Sequence, residues 1–221
     1  FWDTTLSPSP LHGVTTVISG NCGFTIAPLE AEHGEYMMEM LARVEGMPLT
    51  SLQEGVPWNW RTFGEYLDAI DGTLMPNAGF LVGHSALRRT VMGERSVGEF
   101  ASEGELQSMK ELLAESISAG GLGFSSSWAK THNDADGEAV PSRHASETEL
   151  IELCSVLRDS DAVALEFIPT IERFDNEVYQ LLTDMSVAAD KPLNWNVIFV
   201  NARQADVIEE KLQASNYAAS Q

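Results

Sequence analysis

The sequence contains little cysteine, few basic residues and no long apolar run. Two cysteines in 221 residues, Cys22 and Cys154, are too few for a disulfide framework. No window approaches the roughly 18 uninterrupted apolar residues that a membrane-spanning helix needs. The first residues, FWDTTLSPSP, have neither a basic region nor an apolar core, so we expect no signal peptide and a cytoplasmic location.

Basic residues are far outnumbered by acidic ones. The chain has 13 Lys and Arg against 33 Asp and Glu, a formal net charge of −20. This charge repels polyphosphates, so it argues against nucleic acid and anionic membrane surfaces as partners. A small molecule is the partner that we expect, and the composition is compatible with a homo-oligomer. With 43% hydrophobic residues, the chain can bury a full core as one large domain or two small ones.

Short apolar runs alternate with helical patterns along the chain. Five runs carry few charges and predict strands covered on both faces: residues 14–19, 78–83, 121–125, 163–168 and 195–200. Strict alternation of strands and helices predicts an α/β fold with parallel strands and right-handed crossovers. A doubly wound sheet and a (β/α)8 barrel both fit this pattern.

The helices between these runs carry clear start signals. Three pairs of residues form predicted capping boxes: Thr62 with Glu65, Ser102 with Glu105, and Ser146 with Glu149. Asp175 is a further N-cap candidate. Cys154 falls on the apolar stripe of the helix after Ser146, which predicts a buried side chain.

The sharpest local motif is Gly20-Asn21-Cys22-Gly23, directly after the first predicted strand. Two glycines around a polar pair allow a tight turn that projects Asn21 and Cys22 into a site. A thiolate there is suited to metal binding or to nucleophilic attack. A buried cysteine in a tight turn is the alternative.

Polar residues also follow the next two strands. His84 is placed for substrate contact or proton transfer, with a structural role as the alternative. Arg88 and Arg89 could pair with a substrate carboxylate, and an ordinary ion pair with a nearby acid is the alternative, favoured for Arg89. Ser126 ends the third strand within a run of three serines, where its hydroxyl could bind substrate.

Glu166 is the one charge inside the apolar run VALEFI. An acid in a buried strand needs a metal, an arginine or a donor network. A strand-edge residue facing water is the alternative. The run from Asn133 to Gly137 has an Asp-Gly pair and predicts a solvated turn within a long connection after the third strand.

Several blocks resemble the N-acyl-D-amino-acid deacylases (D-aminoacylases) of the amidohydrolase superfamily. The blocks are the opening Phe1-Trp2-Asp3, residues 12–17 (HGVTTV), the GNCG turn, residues 27–29 (APL), residues 83–93 (GHSALRRTVMG) and residues 121–125 (GLGFS). The GNCG and GHSALR blocks are the most specific, and the likeness covers most of the chain.

The resemblance implies a (β/α)8 TIM barrel of amidohydrolase type, with residues 1–221 as its central part and about five consecutive βα units. It implies hydrolysis of the amide bond of N-acyl-D-amino acids at a divalent metal, most often zinc. Cys22 matches the metal-ligating cysteine of the family. His84 matches a site histidine, for which we expect substrate contact, and Arg88 matches the arginine of the same block. Asn21 and Ser126 are the other expected substrate contacts.

The sequence departs from the family at the remaining ligands. The family's first-strand HxH pair is expected upstream of Phe1, and its general-base Asp beyond Gln221, so we expect this chain alone to be inactive. The fifth and sixth strands of the family carry histidine ligands, where this chain has Glu166 and Asn196. Glu166 can bind zinc, whereas asparagine is a poor substitute. One metal ion is therefore expected rather than two.

Two other functions stay open. A relative that kept the barrel but lost its metal would act as a binding module. A Cys22–His84 thiol hydrolase is the third hypothesis, and inhibition by a thiol alkylator without an effect of chelators would identify it.

Overall fold

The computed structural model describes residues 1, 3–161, 163–199, 203 and 205–221. Trp2, in the opening block of the family resemblance, and Val200, at the end of the fifth predicted strand, lie outside the described residues. Among the described helices, none is long and apolar enough to cross a membrane.

Six strand segments of the described chain run parallel to their neighbours. They are β1 (Thr16–Ser19), β2 (Asn77–Phe80), β3 (Val82–Gly83), β4 (Gly123–Ser127), β5 (Ala164–Ile168) and β6 (Leu193–Trp195). β1 pairs with β2, and a second sheet has the order β3-β4-β5-β6. The prediction of an α/β fold with parallel strands is therefore confirmed.

Leu81 joins the two sheets. Its N–H donates to the carbonyl of Ser19 at 2.9 Å, while the N–H of Leu122 donates to the carbonyl of Phe80 at 2.8 Å. The second predicted strand is thus one extended segment that pairs with β1 through its first half and with β4 through its second. The strand order follows the chain order through all described strands, whereas a doubly wound sheet reverses its order at a switch point.

Eight helices connect or follow these strands in the described chain. They are α1 (Gly34–Val44), α2 (Leu49–Gly55), α3 (Phe63–Ile70), α4 (His84–Met92), α5 (Glu103–Ser118), α6 (Glu147–Ser155), α7 (Asn176–Ala189) and α8 (Ala205–Ala218). In the predicted capping boxes at Thr62 and at Ser102, both hydrogen bonds form, one to the cap side chain and one from the cap backbone. Asp175 caps α7 through the N–H of Val178, as predicted. Cys154 is completely buried in α6, which confirms its predicted place in the core.

The capping box predicted at Ser146 forms only in part. The Ser146 hydroxyl accepts the N–H of Glu149 at 3.1 Å. The Glu149 side chain does not return to the cap, because it is hydrogen-bonded to His84 and Arg88 instead.

The fifth strand lies earlier than predicted. β6 covers Leu193–Trp195, and residues 196–199 of the predicted run are not in a strand. Ile198 and Phe199 are 38% and 63% exposed, so the apolar run is not buried as its composition predicted. The Asn196 side chain turns to Glu166, at the point where pairing with β5 ends.

Gly123 allows β4 and β5 to meet. Its φ is +136°, and a Cβ at this position would overlap the carbonyl of Ala164 on the neighbouring segment. Only glycine provides both this backbone conformation and this close approach. The close pairing of β4 with β5 therefore depends on one residue without a side chain.

Candidate functional site

The turn that carries Cys22 is held by a serine on a neighbouring strand. Gly20, Cys22 and Gly23 all have positive φ, at 94°, 62° and 78°. The Ser125 hydroxyl, on β4, donates to the carbonyl of Gly20 and accepts the N–H of Gly23 at 3.1 Å. A Cβ at Gly20 would lie 2.8 Å from the carbonyl oxygen of Leu81, so the turn lies directly against the strand.

Glu166 lies beside this turn, as a buried acid on β5 with 2% exposure. Its Oε2 accepts the N–H of Cys22 at 2.7 Å, and its Oε1 accepts the side-chain amide of Asn196 at 2.5 Å. The donor network that a buried acid requires is therefore present. Burial raises the pKa of Glu166 to about 7, although these two hydrogen bonds lower it.

The Cys22 thiol is half-buried and protonated at neutral pH. Burial, followed by the nearby carboxylates of Glu166 and Glu45, raises the pKa of the thiol to about 12. A thiolate at this position therefore requires a cation that favours the charged form.

His84 is completely buried at the start of α4, and both its ring nitrogens are hydrogen-bonded. Nδ1 lies 2.8 Å from the Ser126 hydroxyl, and Nε2 lies 2.8 Å from Oε1 of Glu149. Because the carboxylate only accepts, Nε2 carries the proton and the Ser126 hydroxyl donates to Nδ1. Burial lowers the pKa of His84 against the opposing effect of Glu149, which keeps the ring neutral.

Glu149 joins His84 to Arg88. Nη1 of Arg88 donates to both carboxylate oxygens of Glu149 at 2.6 Å, and Nη2 donates to the carbonyls of Ser96 and Glu99. Burial alone would raise the pKa of Glu149, but the hydrogen bond from His84 and the charge and hydrogen bonds of Arg88 hold it below its ordinary value. Sequence reasoning missed this residue as part of the site, because its spacing from Ser146 is that of a capping box.

Asn21 is exposed beside a large cavity. The cavity has a volume of about 890 Å³ and is lined by Asn21, Cys22 and mostly apolar side chains, with Glu45 as its one charged residue among those described. Ser126 is completely buried under His84. The predicted substrate contacts thus divide into Asn21 on the cavity and a buried group of His84, Arg88 and Ser126.

Arg89 differs from the prediction. We expected an ion pair with a nearby acid, and no acidic oxygen of the described chain lies within 4.0 Å of its guanidinium, whereas Arg88 has such a pair. The sequence could not distinguish the two arginines. Adjacent helical residues point in different directions, so the position of α6 in the fold determines which arginine lies next to an acidic side chain. The turn predicted at Asn133–Gly137 forms, with the N–H of Gly137 donating to the carbonyl of Asp134, but it is not fully solvated, because Asp134 is buried with 3% exposure.

Two residue types that bind metals lie next to each other among the described residues. Cys22 and Glu166 are neighbours, and thiolate and carboxylate both bind zinc. Catalytic zinc sites use at least three protein ligands. Across the described residues, no group of three or more His, Cys, Asp and Glu side chains could hold a metal. The metal-ligand role of Cys22 and Glu166 therefore stays a prediction.

No protein-family model matches the chain. An uncharacterized protein of Mycobacterium tuberculosis is 36% identical over 193 residues, which cover 81% of this chain and 30% of that protein. A D-aminoacylase of Alcaligenes xylosoxydans xylosoxydans is 32% identical over 153 residues, covering 69% of this chain and 27% of the enzyme. An N-acyl-D-aspartate deacylase of the same organism is 31% identical over 153 residues, covering 68% and 26%. The chain thus spans about 30% or less of the length of these relatives.

Solved structures agree with the sequence relatives. A crystal structure of D-aminoacylase, described as defining a novel subset of amidohydrolases, has a TM-score of 0.65 and 27% identity, covering 95% of this chain and 41% of that one. A D-aminoacylase structure that concerns the role of a binuclear metal centre has a TM-score of 0.61 and 25% identity, covering 92% and 40%. The parallel fold, the Cys22 turn and these similarities confirm the resemblance inferred from the sequence: this chain is D-aminoacylase-like, similar at modest identity to deacylases of the amidohydrolase type.

Proposed function

We propose that the protein containing this chain hydrolyses the amide bond of N-acyl-D-amino acids in a metal-dependent reaction. The observation that carries the proposal is Cys22, held at the carboxyl end of β1 and hydrogen-bonded through its backbone to Glu166 on β5. In parallel α/β folds, ligands bind at the carboxyl ends of strands. Similarity to D-aminoacylase and N-acyl-D-aspartate deacylase supplies the reaction.

We propose that the chain forms about five consecutive units of a (β/α)8 barrel. The sequential order of parallel strands supports this architecture, since barrel neighbours are also neighbours in sequence. The remaining strands would come from further chain, as the greater length of the relatives suggests. Turnover is therefore expected of the longer protein and not of residues 1–221 alone.

Cys22 and Glu166 are the proposed ligands of one divalent ion, with zinc as the expected metal and at least one more donor from further chain. When bound, the ion would polarise the amide carbonyl and lower the pKa of a water molecule. Because burial and nearby carboxylates raise the pKa of the thiol to about 12, binding as a thiolate would require the adjacent dication to favour the charged form.

Asn21, His84, Arg88 and Ser126 stay predicted substrate-side residues. Asn21 is open to the cavity, whose apolar lining is suited to the uncharged part of a small molecule. His84 and Ser126 form one hydrogen-bonded unit that Arg88 stabilises through Glu149. We propose that this unit holds in place the polar side chains that pack against the Cys22 turn.

Metal binding and hydrolysis by Cys22→Ala test the proposal in the full-length protein. We expect wild type to bind close to one equivalent of zinc and to release free amino acid from N-acetyl-D-methionine. Cys22→Ala should lose at least tenfold in zinc affinity, measured by competition with a chromogenic chelator, and should lose turnover. Cys154→Ala is the matched control, because this cysteine is buried in α6 away from the turn. Equal zinc affinity and turnover in wild type and Cys22→Ala would refute the ligand assignment.

The incomplete ligand set favours one second candidate, a barrel that binds N-acyl amino acids without hydrolysing them. Saturable binding of N-acetyl-D-methionine by zinc-free protein, with no turnover after zinc is added, would identify it. The thiol hydrolase is opposed by the geometry, since both ring nitrogens of His84 are engaged by Ser126 and Glu149.

A further inference from the structure

Lys211, on α8, is the one buried lysine among the four in the chain, with 3% exposure. Its Nζ donates to the carbonyls of Ile171 and Val197, each at 3.2 Å, and lies 4.8 Å from the ring centroid of Phe174. Burial lowers the pKa of this ammonium, although Glu210 opposes the effect. A lysine is almost never fully buried without a partner, so the groups that it binds indicate its role.

The two carbonyls belong to connections that leave the carboxyl ends of neighbouring strands. Ile171 follows the last residue of β5, and Val197 follows the last residue of β6. An ammonium has three donors on one atom, so it can bind two carbonyls at once. The Nε1–H of Trp195 donates to the Ser215 hydroxyl at 3.1 Å, which also ties α8 to β6. One side chain of α8 therefore joins the connection after β5 to the connection after β6.

The segment after β6 is held by backbone contacts on both sides of Asn196. Residues 196–199 lie outside a strand, and the last two of them are 38% and 63% exposed. The N–H of Asn196 donates to the carbonyl of Phe167 at 3.0 Å, where pairing with β5 ends. The next residue is Val197, whose carbonyl Lys211 binds. The position of Asn196 is thus fixed by β5 before it and by α8 after it.

The side chain of Asn196 connects this segment to the Cys22 turn. Its Nδ2 donates to Oε1 of Glu166 at 2.5 Å, and Oε2 of the same carboxylate accepts the N–H of Cys22 at 2.7 Å. A carboxylate with a donor on each oxygen is fixed in its orientation. Because Asn196 and Val197 share a peptide bond, a displacement of the Val197 carbonyl would also displace the amide that orients Glu166.

We infer that Lys211 is a positioning residue for the Glu166 carboxylate. It acts through Asn196: while the ammonium holds the Val197 carbonyl, the Asn196 amide stays on Oε1 of Glu166. The carboxylate then faces the Cys22 turn in one orientation. The expected effect on zinc binding rests on the proposed function, in which Glu166 is a ligand, whereas the effect on the Asn196 amide does not.

Exchange of the Asn196 side-chain amide protons with solvent tests this role in the zinc-free, full-length protein, and ¹H–¹⁵N NMR measures it. Lys211→Met removes the donors, so the exchange should become at least tenfold faster. Lys211→Gln keeps a donor on a shorter side chain and should give an intermediate rate. Lys191→Met is the matched control, because Lys191 donates to the carbonyls of Arg158 and Asp190 just before β6 and should leave the rate within about twofold. A wild-type rate in Lys211→Met, or in Lys211→Gln where only that variant folds, overturns the inference.

A double-mutant cycle separates positioning from a general loosening of α8. Asn196→Ala and Lys211→Met should each lower the zinc affinity of the full-length protein at least threefold, measured by competition with a chromogenic chelator. The double variant should lose no more than Asn196→Ala alone, because Lys211 acts through Asn196. Additive losses would overturn that path.

The two measurements also distinguish this role from the proposed function. Faster exchange of the Asn196 amide without any loss of zinc affinity would support the role of Lys211 and refute Glu166 as a ligand. Deacylation by a protein whose Asn196 amide is unaffected by Lys211→Met would overturn the role of Lys211 and leave the deacylase function standing.

Discussion

At the scale of single residues, the candidate site depends on charges that neutralise one another inside the protein. Glu149 and Arg88 are both buried, and their opposite charges lie 2.6 Å apart. Glu149 also holds the proton of His84 on Nε2 and so fixes which nitrogen faces Ser126. One acid thus neutralises the charge of an arginine and fixes the tautomer of a histidine.

Removing the charge of Glu149 should strongly destabilise the fold. Glu149→Gln leaves Arg88 buried without a countercharge, a situation that costs about 3–5 kcal/mol. Urea unfolding followed by circular dichroism measures the loss. Glu147→Gln, an exposed position in the first turn of the same helix, should change the free energy of unfolding by less than about 0.5 kcal/mol. Equal effects of the two substitutions would contradict the ion-pair role.

His84 should make stability depend on pH. Its pKa is lowered by burial, so below its ordinary pKa of about 6.5 the unfolded chain takes up a proton that the folded chain does not. This contribution to stability is present above about pH 6.5 and is lost as the pH falls through the folded-state pKa. The free energy of unfolding of wild type should therefore fall between pH 7 and pH 5 more steeply than that of His84→Gln.

Urea unfolding at several pH values measures these slopes. His12→Gln is the control, because His12 is exposed and should give the wild-type slope. Parallel curves for wild type and His84→Gln would show that the neutral, buried ring contributes nothing to the pH dependence.

At the scale of elements, the sequence predicted the existence of helices and strands well, and it predicted the contacts between them poorly. Strand–helix alternation and the caps at Thr62 and Ser102 are local signals, and the structure confirms them. The same local signal at Ser146 concealed the role of Glu149, since its carboxylate is used 65 residues away at His84. Apolar periodicity also placed the fifth strand too late, because the pairing of β6 with β5 is decided by register and not by composition.

Gly123 is the element-scale position most sensitive to substitution. Gly123→Ala combines an unfavourable positive φ with overlap on the Ala164 carbonyl, and should cost about 3 kcal/mol or more. Gly72→Ala is the matched control, with φ of +68° and open space around it, and should cost about 1 kcal/mol. Thermal unfolding of the two variants gives the comparison, and similar midpoints would show that β4 and β5 can separate without penalty.

At the scale of the whole molecule, the β1 strand has an unpaired edge, and the chain carries a large negative charge. Among the described strands, β1 pairs only with β2, and its Ile18 is 60% exposed. An unpaired edge with apolar side chains is a template for association between chains. The net charge of −20 opposes this association, and salt screens that repulsion.

The isolated chain should therefore self-associate more at high salt. Ile18→Lys should reduce the high-salt oligomer at least twofold, because a lysine on an edge strand disfavours pairing with another chain. Val187→Lys is the control, since Val187 is 58% exposed but lies on α7. Size-exclusion chromatography with light scattering at low and high salt measures both, and an equal effect of the two lysines would exclude the β1 edge as the contact.

The serine that holds the Cys22 turn is synthesised long after the turn itself. Ser125 lies 102 residues after Gly23 and bonds to both ends of the turn. During synthesis at 5–20 residues per second, the turn waits roughly 5–20 s for that serine. Until β4 has been made, the turn that carries Cys22 therefore lacks both hydrogen bonds that hold it in the folded chain.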